Sequence, residues 1–254
     1  MKLIKLNKSK TNLFLLSTTV LAFVILIEVA SWWSLISTNL ILKEISISDT
    51  KIIEKNEFYE LVSEFLGKPL ENVNLTSVSK IIEEHPYVEA ARVSKWYPSK
   101  IKIELIEREP IAILNVEPIV FLDKNSFVLP NKVGKSNFNL PILNNFNTDF
   151  NLYPSGSKVL SENVENSIRW LQKIKNEYPS LYGDISELKM TSDSHMNIIL
   201  SEYPTRIFLG KGQIWAKIEV LRKFETELSP KKLSDFKYID IRYDNQVITK
   251  NRII

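Results

Sequence analysis

The chain has 254 residues, of which 33 are Lys or Arg, 30 are Asp or Glu, six are Gly and none is Cys. This composition is typical of a folded protein with one large domain or two modest ones. Glycine is too scarce, and wrongly spaced, for the glycine-rich loops that bind nucleotides. The lack of cysteine excludes disulfides, zinc–thiolate sites and cysteine nucleophiles.

The net charge of +3 is concentrated at the N-terminus. The first ten residues hold no acidic side chain and four basic ones, namely Lys2, Lys5, Lys8 and Lys10. The rest of the chain carries 29 basic and 30 acidic side chains, because four of the 33 basic residues lie in this tail. That balance argues against nucleic-acid binding through bulk positive charge.

A membrane anchor is predicted directly after the basic tail. Residues 13–33 form an apolar run whose one charged residue is Glu28. A helix of this length spans about 30 Å, which is the hydrocarbon thickness of a bilayer. Trp32 and Trp33, at the far end of the run, suit the headgroup region.

The distribution of lysine predicts the orientation of this anchor. Cytoplasmic flanks are enriched in Lys and Arg. Residues 1–12 are therefore expected in the cytoplasm, residues 13–35 in the cytoplasmic membrane, and the rest of the chain outside it. A cleaved signal peptide is the alternative, with Val29 and Ser31 as small residues before the cut. Apolar cores of signal peptides are shorter, about 7–15 residues, which favours an uncleaved anchor.

Residues 40–108 have the pattern of a small α+β domain. A strand is predicted around Ile45, and an amphipathic helix follows it. The apolar face of that helix consists of Phe58, Leu61, Val62, Phe65 and Leu66. Gly67 and Pro69 are expected to end it, since Gly adopts the left-handed backbone after a helix and Pro prevents its continuation.

The second half of this domain supplies another helix and two strands. The helix is predicted to begin after an N-cap at Thr76 and to end at Pro86. Its apolar stripe consists of Val78, Ile81, Ile82 and His85. Alternating segments at 88–95 and 101–105 predict two strands, joined by a turn. The predicted order is strand, helix, helix, strand, strand, with both helices on one face of the sheet.

A series of short motifs closes this domain. They are His85-Pro86-Tyr87-Val88, Ala91-Arg92-Val93, Tyr97-Pro98, Ile101-Lys102-Ile103 and Glu107-Arg108-Glu109-Pro110-Ile111-Ala112. Together they resemble the POTRA module of the FtsQ/DivIB bacterial division proteins. A basic tail, one anchor, this module and this closing motif are specific in combination. The sequence departs from the family pattern at His85, where an apolar residue is usual, and at Tyr97, where many members have Trp.

Residues 109–254 are predicted to form a strand-rich domain with two helices, similar to the β domain of that family. Strands are expected at 111–114, 119–122, 127–129, 185–188, 197–200, 205–209, 238–243 and 246–250, and helices at 161–176 and 214–228. The run from Tyr238 to Tyr243 closely resembles a family signature. In the turn after the second of these strands, Asn125 or Ser126 must adopt the left-handed backbone, which Asn tolerates best among residues other than Gly.

The sequence contains no recognisable catalytic pattern. Its two histidines, His85 and His195, fall in different domains, and no GxSxG, HExxH or SxxK motif occurs. We expect no catalytic, metal-binding or cofactor-binding site, no nucleic-acid partner and no small-molecule substrate. A cell-wall hydrolase is a rival hypothesis, because the separation of two carboxylates cannot be read from a sequence.

A protein-binding edge of a sheet is the preferred hypothesis. If the strand at 238–243 or its successor lies at the edge, its free backbone groups can pair with a strand of a partner. Alternation places Ile239, Ile241 and Tyr243 on one face of the strand and the other three residues on the opposite face. Asp240 and Arg242 either pair with each other or flank a ligand. The predicted partner-binding residues are Tyr238, Asp240, Arg242, Tyr243, Asn245, Val247 and Thr249.

The family resemblance implies both partners and a role. The implied partners are the division proteins FtsB/DivIC and FtsL, held by the C-terminal strands and the helix that precedes them. The implied role is a non-enzymatic membrane scaffold at the division septum that coordinates septal cell-wall synthesis. The alternative is a POTRA-containing protein of transport or outer-membrane assembly, which would carry several such modules in series.

Overall fold

The computed structural model describes residues 8–36, 40–131, 139–191, 194–244 and 246–252. The chain folds into two compact units. The first comprises Met1–Ser48, Lys55–Lys80 and Arg92–Glu104, and the second comprises Asp49–Glu54, Ile81–Ala91 and Leu105–Ile254. The α+β class predicted from the sequence is confirmed.

The described part of the chain begins with the predicted apolar helix, α1 (Lys8–Ile36). Within it, Leu15–Trp33 is long and apolar enough to cross a membrane. The large side chains of this segment are exposed, and Phe23 is 67% exposed. Exposure of that much apolar surface is unfavourable in water and favourable in lipid.

Five elements follow in the predicted βααββ order. They are β1 (Glu44–Ile47), α2 (Lys55–Val62), α3 (Leu75–Glu83), β2 (Val88–Trp96) and β3 (Lys100–Glu107). The three strands form one sheet in the order β1-β3-β2, and β1 runs parallel to β3 with Ile45 opposite Ile101. Both of these isoleucines are buried.

The ends of the two helices differ from the prediction. Helix α2 stops at Val62 and tightens into a 3₁₀ turn. Leu61, predicted on the apolar face, is 39% exposed. The N-cap of α3 is Asn74 rather than Thr76, because the Asn74 Oδ1 accepts hydrogen bonds from the backbone N–H groups of Thr76 (2.9 Å) and Ser77 (3.2 Å). Gly67 has the predicted left-handed backbone, with φ of +81°.

The second unit contains a nine-stranded sheet. Its strands are β4 (Pro110–Leu114), β5 (Val120–Asp123), β6 (Val128–Pro130), β7 (Ile142–Asn144), β8 (Ile185–Met190), β9 (Met196–Leu200), β10 (Arg206–Gly210), β11 (Phe236–Asp240) and β12 (Ile248–Asn251). Their order across the sheet is β12-β11-β10-β9-β8-β7-β4-β5-β6. The strands β12 and β6 are therefore its two edges.

Three helices accompany this sheet, whereas two were predicted. They are α4 (Glu162–Glu177), α5 (Pro179–Asp184) and α6 (Ile214–Glu227). The short α5 was not predicted. The apolar face of α4 is fully buried in the core through Val164, Ile168 and Leu171. On β10, Ile207 and Leu209 enter the same core while Phe208 is only half-buried, as the alternation of a strand requires.

The turn between β5 and β6 resolves the choice between Asn125 and Ser126. Ser126 adopts the left-handed backbone, with φ of +65°. The Asp123 Oδ1 accepts hydrogen bonds from the N–H groups of Asn125 (2.8 Å) and Phe127 (2.7 Å). This carboxylate determines the shape of the turn and places Ser126, not the intrinsically more tolerant Asn125, at the strained position.

Candidate partner-binding edge of the sheet

The strand β12 has one free side. It pairs antiparallel with β11, with Tyr238 opposite Lys250, Ile239 opposite Thr249 and Asp240 opposite Ile248. Within the described ranges no strand lies on its other side. All four of its residues are exposed. Backbone N–H and C=O groups on the free side of such a strand are available to another chain.

The opposite edge of the sheet, β6, is covered. The Val128 N–H donates to the Ser157 carbonyl (2.9 Å), and the Gly156 N–H donates to the Val128 carbonyl (2.8 Å). Phe127 also forms an antiparallel bridge with Lys158. Protection of one edge by the protein's own loop is a common way to prevent unwanted strand pairing. In the part of the chain that the structure describes, β12 is the open edge of this sheet.

The strand β11 ends three residues earlier than predicted. The Arg242 N–H donates to the Asp240 Oδ1 (3.1 Å), and this side-chain contact turns the backbone out of the strand. The prediction that Arg242 and Tyr243 lie on a strand is therefore wrong, as is the shared face of Ile239 and Tyr243. Ile239 is fully buried, whereas Tyr243 is 55% exposed.

Asp240 and Arg242 form a close ion pair. The Arg242 Nη2 lies 2.6 Å from the Asp240 Oδ2, and the Arg242 Nε lies 2.9 Å from Oδ1. The Asp240 side chain is buried, whereas that of Arg242 is 42% exposed. The hydrogen bond from the guanidinium lowers the pKa of Asp240 below its ordinary value, and the same contact raises the pKa of Arg242. The sequence left open whether Asp240 and Arg242 pair with each other or flank a ligand, and in the structure they pair with each other.

The stem of Arg242 lies against the end of β10. Gly210 has φ of +71°, and a Cβ at that position would lie 3.0 Å from the Arg242 Cγ. The guanidinium carbon is 5.4 Å from the centre of the Phe208 ring and 5.8 Å from that of Tyr243. Three contacts thus position Arg242 beside the open edge, with its Nη1 making no hydrogen bond to a described residue.

The remaining predicted residues occupy different environments. Tyr238 is half-buried and packs edge-on against Phe208, with ring centres 6.0 Å apart. Val247 is partly buried against the core, and Thr249 is exposed on β12. Asn245 lies outside the described residues. The structure therefore brings Tyr238, Asp240 and Arg242 together around Phe208, which the sequence did not single out.

A groove on the sheet adjoins these residues. It has a volume of about 470 Å³. Its lining combines apolar surface with three cationic side chains and one acidic one, namely Ile199, Pro204, Phe208, Tyr238, Arg206, Lys237, Arg252 and Glu187. Sequence reasoning missed the cations because Arg206, Lys237 and Arg252 are far apart in the chain and converge only when β10, β11 and β12 pair.

Arg252 joins the end of β12 to the body of the sheet. Its Nη2 donates to the Phe236 carbonyl (3.2 Å) and to the Thr205 Oγ1 (3.3 Å). Its backbone N–H donates to the Asp235 carbonyl (3.2 Å). The guanidinium also lies 5.2 Å from the centre of the Tyr203 ring. These contacts hold the edge strand in place on its paired side.

The His, Asp and Glu side chains of the described residues do not cluster into a metal site. These residues contain no group of three or more His, Cys, Asp or Glu side chains that could hold a metal ion. The His85 Nδ1 accepts a hydrogen bond from the Tyr87 N–H (3.2 Å) just after the end of α3, which is a local structural contact.

The chain combines an apolar helix long enough to cross a membrane, a βααββ module of the POTRA type and a strand-rich domain with an open edge. Two family models match the chain: "POTRA domain, FtsQ-type" over residues 40–108 and "FtsQ/DivIB, C-terminal related" over residues 110–250. The chain therefore belongs to the FtsQ/DivIB family, as the sequence motifs predicted.

Similar proteins carry the same name in several bacteria. A "Cell division protein FtsQ" of Geobacter sp. (strain M21) is 25% identical over 214 residues, which cover 84% of this chain and 77% of the relative. The "Cell division protein FtsQ" of Geotalea daltonii is 22% identical over 210 residues, covering 82% and 75%. That of Actinobacillus pleuropneumoniae serotype 3 is 27% identical over 156 residues, covering 60% of each chain.

Proposed function

We propose that this protein is a non-enzymatic scaffold of the bacterial division machinery that captures a partner by accepting a strand at β12. The observation that carries the proposal is the open edge at β12, beside an arginine held in place by Asp240. Membership of the FtsQ/DivIB family and relatives named as cell division proteins support the division role over transport or outer-membrane assembly.

The proposed arrangement in the cell follows from the charge and apolar patterns. Residues 1–12 form the cytoplasmic tail and residues 13–35 the anchor in the cytoplasmic membrane. Residues 40–108 form the POTRA domain and residues 109–254 the β domain, both outside the cytoplasm at the division septum. The proposed partners are proteins of the FtsB/DivIC and FtsL type, which are themselves membrane-bound division proteins.

The chemistry of the edge defines what the partner must offer. Backbone hydrogen bonds to β12 would supply affinity that depends little on the partner's sequence. Arg242 would supply selectivity, because its Nη1 is directed to no described residue and a guanidinium binds carboxylates well. Tyr243, which is 55% exposed, would add apolar contact. The adjoining groove has three cations and one acid, so the segment flanking the added strand is expected to be acidic.

Capture of the partner in detergent tests this proposal. The full chain is co-purified with the FtsB/DivIC- and FtsL-type proteins of the same organism. Arg242→Gln and Tyr243→Ala are each expected to weaken capture by about tenfold or more. Gln is preferred to Glu at position 242, because a second carboxylate beside buried Asp240 would destabilise the fold itself.

Matched variants separate a local effect from a general one. Arg169→Gln and Tyr59→Ala remove an exposed arginine and an exposed tyrosine elsewhere and are expected to leave capture unchanged. Circular dichroism verifies the fold of every variant. Full capture by both edge variants would contradict the proposed interface, whereas an even outline of a fluorescent fusion in dividing cells, instead of a band at mid-cell, would contradict the division role.

A further inference from the structure

The tip of the β2–β3 hairpin exposes two aromatic side chains. Trp96 is 54% exposed and Tyr97 is 61% exposed, although large aromatic side chains usually enter a core. They belong to the run Lys95-Trp96-Tyr97-Pro98-Ser99-Lys100-Ile101-Lys102, which contains three lysines and no acidic residue. Tyr and Trp flanked by Lys are typical of side chains at a membrane–water interface.

The hairpin tip lies at the end of the sheet that is nearest to the anchor. The Ser99 carbonyl accepts hydrogen bonds from the N–H groups of Lys43 (2.8 Å) and Glu44 (3.2 Å). Lys43 and Glu44 are the residues at which the chain enters β1. Because β1 and β3 are parallel, the start of β1 and the tip that precedes β3 share one end of the sheet.

The tether between this end and the membrane is short. Helix α1 ends at Ile36, and Leu40 is the next described residue. Four peptide steps span at most about 14 Å. Lys43, whose side chain is exposed, and Lys68, whose carbonyl accepts a hydrogen bond from the Leu42 N–H (2.9 Å), add positive charge near the same end. Such a tether holds the tip at a high effective concentration near lipid.

The lysines of the tip are arranged around the aromatic pair. The Lys102 Nζ lies 5.5 Å from the centre of the Trp96 ring and also pairs with the Glu104 Oε1 at 2.6 Å. Lys100 pairs with Glu44 at 2.6 Å but keeps 34% of its side chain exposed. The Lys95 Nζ donates to the Glu71 carbonyl (2.9 Å), and no carboxylate of a described residue pairs with it. The tip thus combines two exposed aromatic rings with positive charge, which comes from Lys95 at the tip and from Lys43 and Lys68 near it.

We propose that the hairpin tip, residues 95–100, rests on the surface of the bilayer that holds α1. Trp96 and Tyr97 enter the headgroup region, and the lysines contact anionic lipid headgroups. The partner is the lipid surface itself and not another protein. This contact would fix the orientation of the first unit relative to the membrane, independently of any capture of a strand by β12.

The absence of cysteine makes a direct test possible. Ser99→Cys, in the full chain, is labelled with an environment-sensitive fluorophore and reconstituted into vesicles of phosphatidylcholine with or without phosphatidylglycerol. We expect a blue-shifted emission, quenching by brominated lipids and loss of quenching by aqueous iodide, all stronger with the anionic lipid. Ser48→Cys, at the other end of β1, and Tyr243→Cys are the reference positions and are expected to stay accessible to iodide.

Variants of the tip complete the experiment. The double variant Trp96→Ser, Tyr97→Ser is expected to abolish the blue shift at position 99, whereas Tyr59→Ser, which removes an exposed aromatic ring elsewhere, is expected to preserve it. Equal iodide quenching at positions 99 and 243 in anionic vesicles would overturn the proposal. Protection of position 99 that arises only after addition of a division partner would also overturn it, in favour of a protein-binding site.

Discussion

Asp240 has more influence on the candidate interface than its place in the sequence suggests. Its carboxylate accepts the Arg242 N–H, which ends β11, and also binds the Arg242 guanidinium. One buried side chain therefore determines both where the strand stops and where the exposed arginine lies. The spacing of Asp240 and Arg242 in the sequence indicates that they can pair. The burial of Asp240, in contrast, follows from the packing of β11 between β10 and β12.

The pair predicts an acid-dependent loss of stability. Arg242 lowers the pKa of Asp240 below 3.8, so the pair stabilises the fold fully above that ordinary value and loses its effect as the pH falls through the lowered pKa. Asp240→Asn is expected to reduce the free energy of unfolding by about 1–2 kcal/mol at pH 7, because a charge-assisted hydrogen bond is lost. Chemical unfolding in detergent should show this difference shrinking below pH 4, and a constant difference would contradict the pair's role.

Gly210 is expected to be indispensable for the position of Arg242. Ala at this site would keep an unfavourable φ of +71° and place a methyl group 3.0 Å from the Arg242 Cγ. Gly210→Ala should therefore cost about 1 kcal/mol or more in stability and weaken partner capture by displacing the arginine. Gly183→Ala is the matched control, because no atom lies within 4 Å of its Cβ and α5 tolerates Ala well. Equal effects of the two substitutions would show that Arg242 does not depend on Gly210.

The residues that identify the family can be recognised in the sequence, but the contacts that they make cannot. Glu107 and Arg108 stand in the closing motif of the POTRA domain, but their contacts are distant in sequence. The Glu107 carboxylate accepts the N–H groups of Ile52 (3.2 Å) and Ile53 (3.0 Å). The Arg108 Nη1 lies 2.9 Å from the Oδ2 of buried Asp123. A sequence shows that such residues are present, whereas folding decides which backbone or charge they meet.

At the level of elements, β12 yields the sharpest prediction. If a partner adds a strand there, side chains that alternate along β12 must alternate along the partner too. Thr249→Cys and Asn251→Cys, two residues apart, should each form a disulfide with single-cysteine variants of the partner, and the two partner positions should also be two residues apart. The direction of that shift identifies parallel or antiparallel pairing. Cross-links without this periodicity would contradict strand addition.

Elements with a long apolar periodicity were predicted accurately, whereas elements determined by a few local contacts were not. Helices α4 and α6 have long apolar periodicities, and the sequence predicts both to within two residues. The six-residue α5 has too few turns for a periodic signal and begins at a proline that reads equally well as a turn. The end of β11 was missed because a side-chain contact, rather than an alternation of apolar residues, terminates the strand.

For the whole molecule, the sequence predicts the order of the domains along the chain but not the order of the strands across the sheet. The basic tail, anchor, POTRA motifs and C-terminal signature follow one another along the chain. In contrast, β4 lies between β5 and β7, and β11 pairs with β10 in parallel across the intervening helix α6. That order makes β12 an edge, so the most important feature of the candidate site depends on non-local pairing.

The orientation of the chain in the membrane decides whether this edge can meet its proposed partner. Four lysines precede the apolar segment Leu15–Trp33, so the tail should remain in the cytoplasm and the edge should lie outside it. With Ser9→Cys and Tyr243→Cys as separate variants, a membrane-impermeant maleimide added to spheroplasts should label only position 243, and permeabilisation should expose position 9. Labelling of position 9 in intact spheroplasts would reverse the topology and place β12 in the cytoplasm. A partner that offers its strand outside the cytoplasm could then not reach it, even if the edge itself binds strands in solution.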